Sequence, residues 1–248
     1  MFEMLMPFRR FLHRATPKST AIGYTLSGRL SKNAKNIVLD KDLFYDVYTI
    51  VYGFPKERIY VALRTIYLDV PYARGYVYLY GATLTQTPIT LFLNLDSKCI
   101  RRNIVEKAVE LISEGSHSLY MAIPFTNNTL LSLYRDKIYK ILKNLGIGLD
   151  LLYPSYTLVV GKSRIFKDSP YTIWSTEILA SILIELILAK DRVKVEDMGC
   201  LDNVPLAMQG VERTYVERLG VDLINMLTNI KIIDEKQARE YLEMVKSS

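Results

Sequence analysis

Residues Tyr76–Pro124 read YVYLYGATLTQTPITLFLNLDSKCIRRNIVEKAVELISEGSHSLYMAIP, and this stretch decides the fold that we expect. From Tyr76 to Thr83, tyrosines and an alanine alternate with mostly aliphatic residues, which predicts a half-buried strand. The alternation resumes after Pro88 and predicts a second strand. An amphipathic segment and a buried apolar run follow, so we expect the order strand, turn, strand, helix, strand.

Three polar residues share one face at the end of the second strand: Asn94, Asp96 and Lys98. Their side chains point to the same side because alternate residues of a strand do so. A carboxylate and a lysine at this spacing can hold a divalent cation and a phosphate oxygen. A strand that simply ends in charged residues gives the same triplet, and that alternative stays open.

The composition is that of a folded protein for which we expect an anionic partner. Half of the 248 residues are apolar and 23% are charged, which is ordinary for a folded domain. The formal net charge of +6 favours nucleic acid over a membrane surface as the partner. Seven basic residues and two acidic ones lie between Met1 and Asp40. We therefore interpret residues 1–39 as a basic N-terminal arm, and a solvated tail would have the same composition.

The cysteines and histidines are few and isolated. Cys99 and Cys200 are too few and too far apart in the sequence to indicate a disulfide framework or a zinc site, so a reducing interior is expected. His13 and His117 join no cluster with the spacing of metal ligands. These observations argue against a zinc enzyme and against a Ser/His/Asp hydrolase.

The apolar segments do not predict a membrane protein. Met1–Met6 precedes its basic residues, which is the wrong order for a signal peptide. The longest apolar run, Ile178–Ala189, contains a glutamate and is too short to span a bilayer. We expect a cytoplasmic protein with no membrane partner.

Apolar periodicity predicts alternating helices and strands on both sides of the opening stretch. Three successive strands with short connections are expected to form an antiparallel meander. The predicted elements are a helix over Asp40–Tyr52, strands over Ile59–Leu68, Tyr76–Thr83 and Ile89–Lys98, a helix after Arg101, a strand over Ser118–Ile123, a helix over Leu130–Leu145, and short strands at Ile147–Tyr153 and Tyr156–Val160.

Residues 170–248 are expected to form a C-terminal helical domain. The polar, turn-rich segment Gly161–Pro170 precedes it as a linker. Apolar residues at helical spacing predict helices over Thr176–Lys190 and Leu206–Leu227.

The end of this region allows several interpretations. Asp234 and Gln237 have the spacing of a capping box, which predicts the start of a last helix. Three helices around one core are one possibility, and a winged-helix DNA reader with Arg213 and Arg218 on its recognition helix is another. Residues 176–245 could equally mediate a homodimer or bind an assembly partner.

The order of elements resembles the core of the PD-(D/E)xK, or restriction-endonuclease-like, nuclease superfamily. The resemblance spans Asp40–Val160, within a predicted domain of residues 40–165. LYMAIP, followed by a helix and Leu145–Leu149, is similar to archaeal and archaeal-virus members of that group. The resemblance implies an α/β fold with a mixed sheet flanked by helices.

The same resemblance implies a set of site residues. The third strand of such nucleases carries an acid and a lysine two residues apart, which Asp96 and Lys98 match. An earlier aspartate belongs near Arg74–Tyr76, where this sequence has no carboxylate, and Asp69 is the nearest candidate. The implied catalytic residues are Asp69, Asp96 and Lys98, with the two aspartates as ligands of Mg²⁺ if the site is active. In an alternative alignment with these nucleases, Asn94 takes the position of the acid and Asp96 that of the lysine, and the motif is then absent.

Three functions are compatible with these patterns. The leading one is a nucleic-acid-binding protein, for DNA rather than RNA, on a nuclease-like scaffold whose catalytic site has decayed. An active Mg²⁺-dependent DNA endonuclease and a structural protein that assembles through its C-terminal helical domain are the alternatives. In the first, five arginines would contact phosphates: Arg9, Arg10, Arg14, Arg101 and Arg102.

Overall fold

In the computed structural model, the described residues form a seven-stranded mixed sheet with helices on both faces. The structure describes residues 19–26, 28, 30–40, 42–53, 64–68, 75–125, 136–137, 140–145, 157–168, 192–201 and 212–246. The strands are β1 (Ser19–Thr25), β2 (Asp46–Tyr52), β3 (Thr65–Leu68), β4 (Ile89–Asn94), β5 (Leu119–Phe125), β6 (Leu158–Lys162) and β7 (Val193–Leu201). The helices are α1 (Lys32–Val38), α2 (Gly75–Leu84), α3 (Arg102–Ser113), α4 (Ser163–Lys167), α5 (Glu212–Asn229) and α6 (Glu235–Lys246).

The strands lie in the order β3-β2-β1-β4-β6-β5-β7. Strand β1 pairs in parallel with both β2 and β4, and β2 pairs in parallel with β3. Strand β6 is antiparallel to its neighbours β4 and β5, and β5 pairs in parallel with β7. The prediction of an α/β fold with a mixed sheet flanked by helices is therefore confirmed.

Each face of the sheet has its own apolar core. Alternate residues of the central strands divide between the two, so that Ile22 and Phe92 join one cluster while Ala21 and Leu91 join the other. The first cluster packs against α2, α4, α5 and α6, and the second packs against α1 and α3. Strands β1 and β4 are buried along their whole length, as expected of parallel strands that are covered on both faces.

Two segments have the opposite secondary structure to the one predicted. Tyr76–Thr83 lies in helix α2, whereas Asp46–Tyr52, predicted as the end of a helix, is strand β2. Aromatic and β-branched residues favour strands only weakly, because packing against neighbouring elements decides their conformation. The predicted antiparallel meander is wrong as well, since β2, β1 and β4 are parallel and α2 connects β3 to β4.

Other elements follow the sequence pattern closely. The strand before Asp96, the helix after Arg101 and the strand after Ser118 are confirmed as β4, α3 and β5. The capping box is confirmed too, since Gln237 N donates to Asp234 Oδ1 at 2.8 Å and Asp234 N donates to Gln237 Oε1 at 3.1 Å. These segments combine a clear period with local start or stop signals.

The two ends of the described chain both contribute to the sheet and its cores. Residues 19–39, part of the predicted basic arm, contain β1 and α1, and Ser31 caps α1 by accepting from Ala34 N at 3.1 Å. Helices α5 and α6 pack into the first cluster, and the described residues do not show a winged-helix arrangement. The predicted helix over Thr176–Lys190 lies outside the described residues. None of the described helices has the length and apolar character needed to cross a membrane.

We expect Gly81→Val to lower the free energy of unfolding by about 1–3 kcal/mol, the usual cost of overpacking a core. Helix α2 approaches the sheet closely at Gly81, where a Cβ would lie 2.8 Å from both Ile22 Cγ2 and Phe92 Cε1. Thr83→Val changes an exposed position on the same helix and should cost less than about 0.5 kcal/mol. Urea denaturation measures both variants, and equal stabilities would contradict this packing of α2.

Candidate functional site

The order of the strands creates a switch point between β1 and β4. From β1 the chain adds β2 and β3 on one side, then returns through α2 to place β4 on the other side. In open α/β sheets, ligands bind outside the carboxyl ends of the strands, at the point where the strand order reverses. The carboxyl ends of β1 and β4 therefore define the candidate site.

Asp96 lies at this switch point, two residues after the end of β4. Its Oδ1 accepts a hydrogen bond from Thr25 Oγ1 at 2.6 Å, and its Oδ2 accepts one from Leu26 N at 2.8 Å. The two donors are the last residue of β1 and the residue that follows it. The half-buried carboxylate is thus oriented by the neighbouring strand, with part of its surface still accessible.

Thr25 is the residue that connects Asp96 to the segment after β1. Its hydroxyl donates to Asp96 and also accepts from Gly28 N at 3.0 Å, while the side chain is fully buried. A second link is made by Ser31 N, which donates to the carbonyl of Leu95 at 3.1 Å. The chain that follows β1 is therefore tied to the turn that carries Asp96.

Asn94, the last residue of β4, has one unused polar group. Its Oδ1 accepts from Asp96 N at 3.2 Å. Its Nδ2 is buried, and none of the described residues supplies an acceptor for it. An unpaired buried donor is costly to the folded state, so this amide group stands out among the polar groups near Asp96.

The turn after Asp96 ends in a disulfide between Cys99 and Cys200, with the two Cα atoms 5.7 Å apart. The expectation of a reducing interior, which was drawn from the spacing of the two cysteines, therefore loses its support. The residues are 101 positions apart in the sequence, but β4 and β7 end on the same edge of the sheet. Sequence spacing alone cannot show that proximity.

A second charged cluster lies beside β7. Lys107 of α3 forms an ion pair with Glu196 and thereby lowers the pKa of that carboxyl. Burial of the Tyr120 phenol raises its pKa, and the nearby Glu196 carboxylate adds to the effect. This cluster joins α3 to β5 and β7.

The two described arginines that were predicted to bind phosphates differ in their surroundings. Arg102 forms ion pairs with Asp40 at 2.5 Å and Glu106 at 2.7 Å. The hydrogen bond that Arg102 donates to Glu106 and the charges of both carboxylates raise the pKa of Arg102. Arg101 is exposed at the start of α3, and its side chain does not cap that helix. Arg9, Arg10 and Arg14 lie outside the described residues.

The predicted catalytic residues are only partly brought together. Asp96 is at the switch point and Lys98 is exposed two residues further on, whereas Asp69 lies outside the described residues. Within the described ranges, no group of three or more His, Cys, Asp or Glu side chains is arranged to hold a metal ion.

Thr25 and the backbone of Leu26 were not among the residues predicted from the sequence. The signal was present in residues 19–25, STAIGYT, whose β-branched and aromatic residues favour a strand.

Comparison with solved structures identifies the fold. Glucosyl-3-phosphoglycerate synthase from Mycobacterium tuberculosis, in complex with phosphoglyceric acid, matches with a TM-score of 0.67 and 12% identity, covering 88% of this chain and 81% of that one. The same enzyme with Mn²⁺, UDP-glucose and phosphoglyceric acid matches with a TM-score of 0.67, 12% identity and coverage of 88% and 81%. Its complex with Mg²⁺ and UDP gives 0.65, 11%, 88% and 81%. Neither the protein-family models nor the curated proteins gave a match.

These comparisons correct the predicted family. The chain has the GT-A glycosyltransferase fold, so the assignment to the PD-(D/E)xK, restriction-endonuclease-like superfamily is wrong. The expected nuclease-like, DNA-binding function and the nucleic-acid partner are overturned with it. The physical cause is the misassigned meander: parallel strands on both sides of β1 give a different sheet from the one on which that resemblance depended.

We expect Thr25→Val to lower the free energy of unfolding by about 1–3 kcal/mol, because it leaves buried polar groups unpaired. Valine has nearly the same shape but offers Asp96 no donor and Gly28 N no acceptor. Thr25→Ser keeps the hydroxyl and should retain most of the stability. Guanidinium denaturation compares them, and equal losses in the two variants would contradict the role given to the hydroxyl.

Proposed function

We propose that this protein is a glycosyltransferase that transfers a sugar from a nucleoside-diphosphate sugar to an acceptor hydroxyl, with a divalent cation as cofactor. The observation that carries the proposal is the position of Asp96, held at the switch point by the end of β1. The fold supports it, because a similar structure was solved with Mn²⁺ and UDP-glucose.

Asp96 is the residue that we assign to the cation. Hydrogen bonds from Thr25 and Leu26 fix the orientation of its carboxylate, and part of the residue's surface stays accessible to a cation. Mg²⁺ is usually held by one or two carboxylates together with substrate phosphates, so one aspartate suffices when a diphosphate supplies the other ligands. The bound cation would neutralise charge on the diphosphate as it leaves.

The transfer breaks the bond between the sugar's anomeric carbon and a diphosphate oxygen. It forms a bond from that carbon to the acceptor oxygen, and it releases the nucleoside diphosphate and the hydroxyl proton. We assign Lys98 to the diphosphate, because a lysine ammonium is a good partner for phosphate oxygens.

The residues around the site would act mainly by positioning the donor. Thr25 and Leu26 hold the Asp96 carboxylate in one orientation. Fixed ligands reduce the entropy that is lost when a substrate binds, and correct placement of reacting groups contributes several kcal/mol to many enzymes.

We expect the wild-type protein to bind UDP in the presence of Mn²⁺ and to release UDP from UDP-glucose. Asp96→Asn should weaken binding of UDP with Mn²⁺ at least tenfold, about 1.4 kcal/mol, because the amide is a poorer ligand of the cation. Isothermal titration measures the affinity, and a coupled assay of UDP release measures turnover.

Asp168→Asn is the matched control for this experiment. Asp168 is an exposed aspartate that follows α4, and α4 begins where β6 pairs with the first residues of β4. The control variant should bind as the wild type does. Absence of UDP binding at millimolar Mn²⁺, or equal affinity in the wild type and Asp96→Asn, would refute the proposal.

A further inference from the structure

The Cys99–Cys200 disulfide joins the candidate site to a distant strand. Cys99 follows Asp96 by three residues, and Cys200 is the next-to-last residue of β7. In the described sheet β7 is at the opposite end from β3. The bond therefore connects the turn that carries Asp96 to a strand that does not pair with β1 or β4.

This connection spans a considerable distance across the sheet. Strands β6 and β5 lie between β4 and β7, so the two cysteine-bearing segments start about 14 Å apart at the usual strand spacing. The turn crosses that gap over the ends of the intervening strands: Ser97 Oγ and Thr157 Oγ1 are 3.1 Å apart, and Thr157 N donates to the carbonyl of Ala122. The disulfide attaches the end of this turn, at Cys99, to β7.

The end of β7 has an irregularity at the same place. Ile123 pairs with Asp197 and Phe125 pairs with Leu201, so four steps along β7 match two along β5. Gly199 has a φ of +56°, which favours glycine, and its N–H donates to Asp197 Oδ1 at 2.8 Å. Bulges redirect side chains, and this one includes Cys200.

Cleavage of the disulfide would leave most other contacts of the turn intact. Cys99 is 1% exposed and belongs to the same apolar cluster as Ile100 and Met198. The ion pair between Lys107 and Glu196 still joins α3 to β7. The loss is therefore local: the segment Ser97–Ile100 would lose its covalent attachment while the sheet keeps its hydrogen bonds.

We propose that the Cys99–Cys200 disulfide positions the turn that carries Asp96, so that breaking it loosens the candidate cation site without unfolding the sheet. A dithiol reductant performs the break by supplying two electrons and two protons, which converts the disulfide to two thiols while the reductant becomes a disulfide. The effect on ligand binding rests on the proposed function, but the effect on the turn does not.

Hydrogen exchange of the full chain tests the positioning directly. Reduction by dithiothreitol should accelerate exchange of the amides of Ser97–Ile100 at least tenfold and leave those of β1 and β4 unchanged. The double variant Cys99→Ala, Cys200→Ala should exchange like the reduced wild type with or without reductant. Equal exchange in the oxidised and reduced proteins, or two free thiols in protein purified without reductant, would overturn the proposal.

Binding of UDP with Mn²⁺ provides the second readout and needs no reductant. The double alanine variant should bind about tenfold more weakly than the oxidised wild type at a temperature where both are folded. Equal affinities would count against the disulfide as a positioning element. Absence of binding in both proteins would instead refute the proposed function, and the exchange rates alone would then decide the role of the disulfide.

Discussion

The hydrogen bonding of β1 between β2 and β4 is the constraint on which the rest of the structure depends. Both neighbours are parallel to β1, and all seven of its residues are buried. The register with β4 places Tyr24 opposite Asn94, so the residues that follow, Thr25 and Asp96, meet just beyond the ladder. A slip of one residue would reverse the faces of every side chain and separate these two groups.

The net charge of the chain is a poor guide to its binding partner, because the fold decides which charged side chains pair with one another. The net charge of +6 suggested an anionic polymer as partner, but several cations of the described chain are engaged by carboxylates. Arg64 pairs with Asp46 and lies over the Tyr48 ring, and Arg102 pairs with two acids. Arginines that are paired in this way are less available to contact phosphates, so a positive total charge alone is weak evidence for nucleic acid.

The candidate site and the disulfide both depend on parallel strands that end on the same edge of the sheet. Parallel strands end on a common edge, where a carboxylate from one strand can be held by donors from the next. Asp96 is held in this way by Thr25 and Leu26, and the turn beyond it is fastened by the bond to Cys200. Orientation of a ligand by its surroundings is as important to a metal site as the ligand itself.

By itself, the sequence determined the local elements with a clear period or a strong signal: β4, α3, β5 and the capping box before α6. It also singled out Asp96 as a candidate ligand, because a carboxylate at a strand end is visible in the residue pattern. Only the tertiary structure decided that Tyr76–Thr83 is a helix and Asp46–Tyr52 a strand, since these residues suit either conformation and packing selects one. The tertiary structure also decided that β1 lies between β2 and β4 and that Cys99 bonds to Cys200. Contacts between residues that are distant in the sequence depend on the order of the strands, and local sequence patterns do not contain that order.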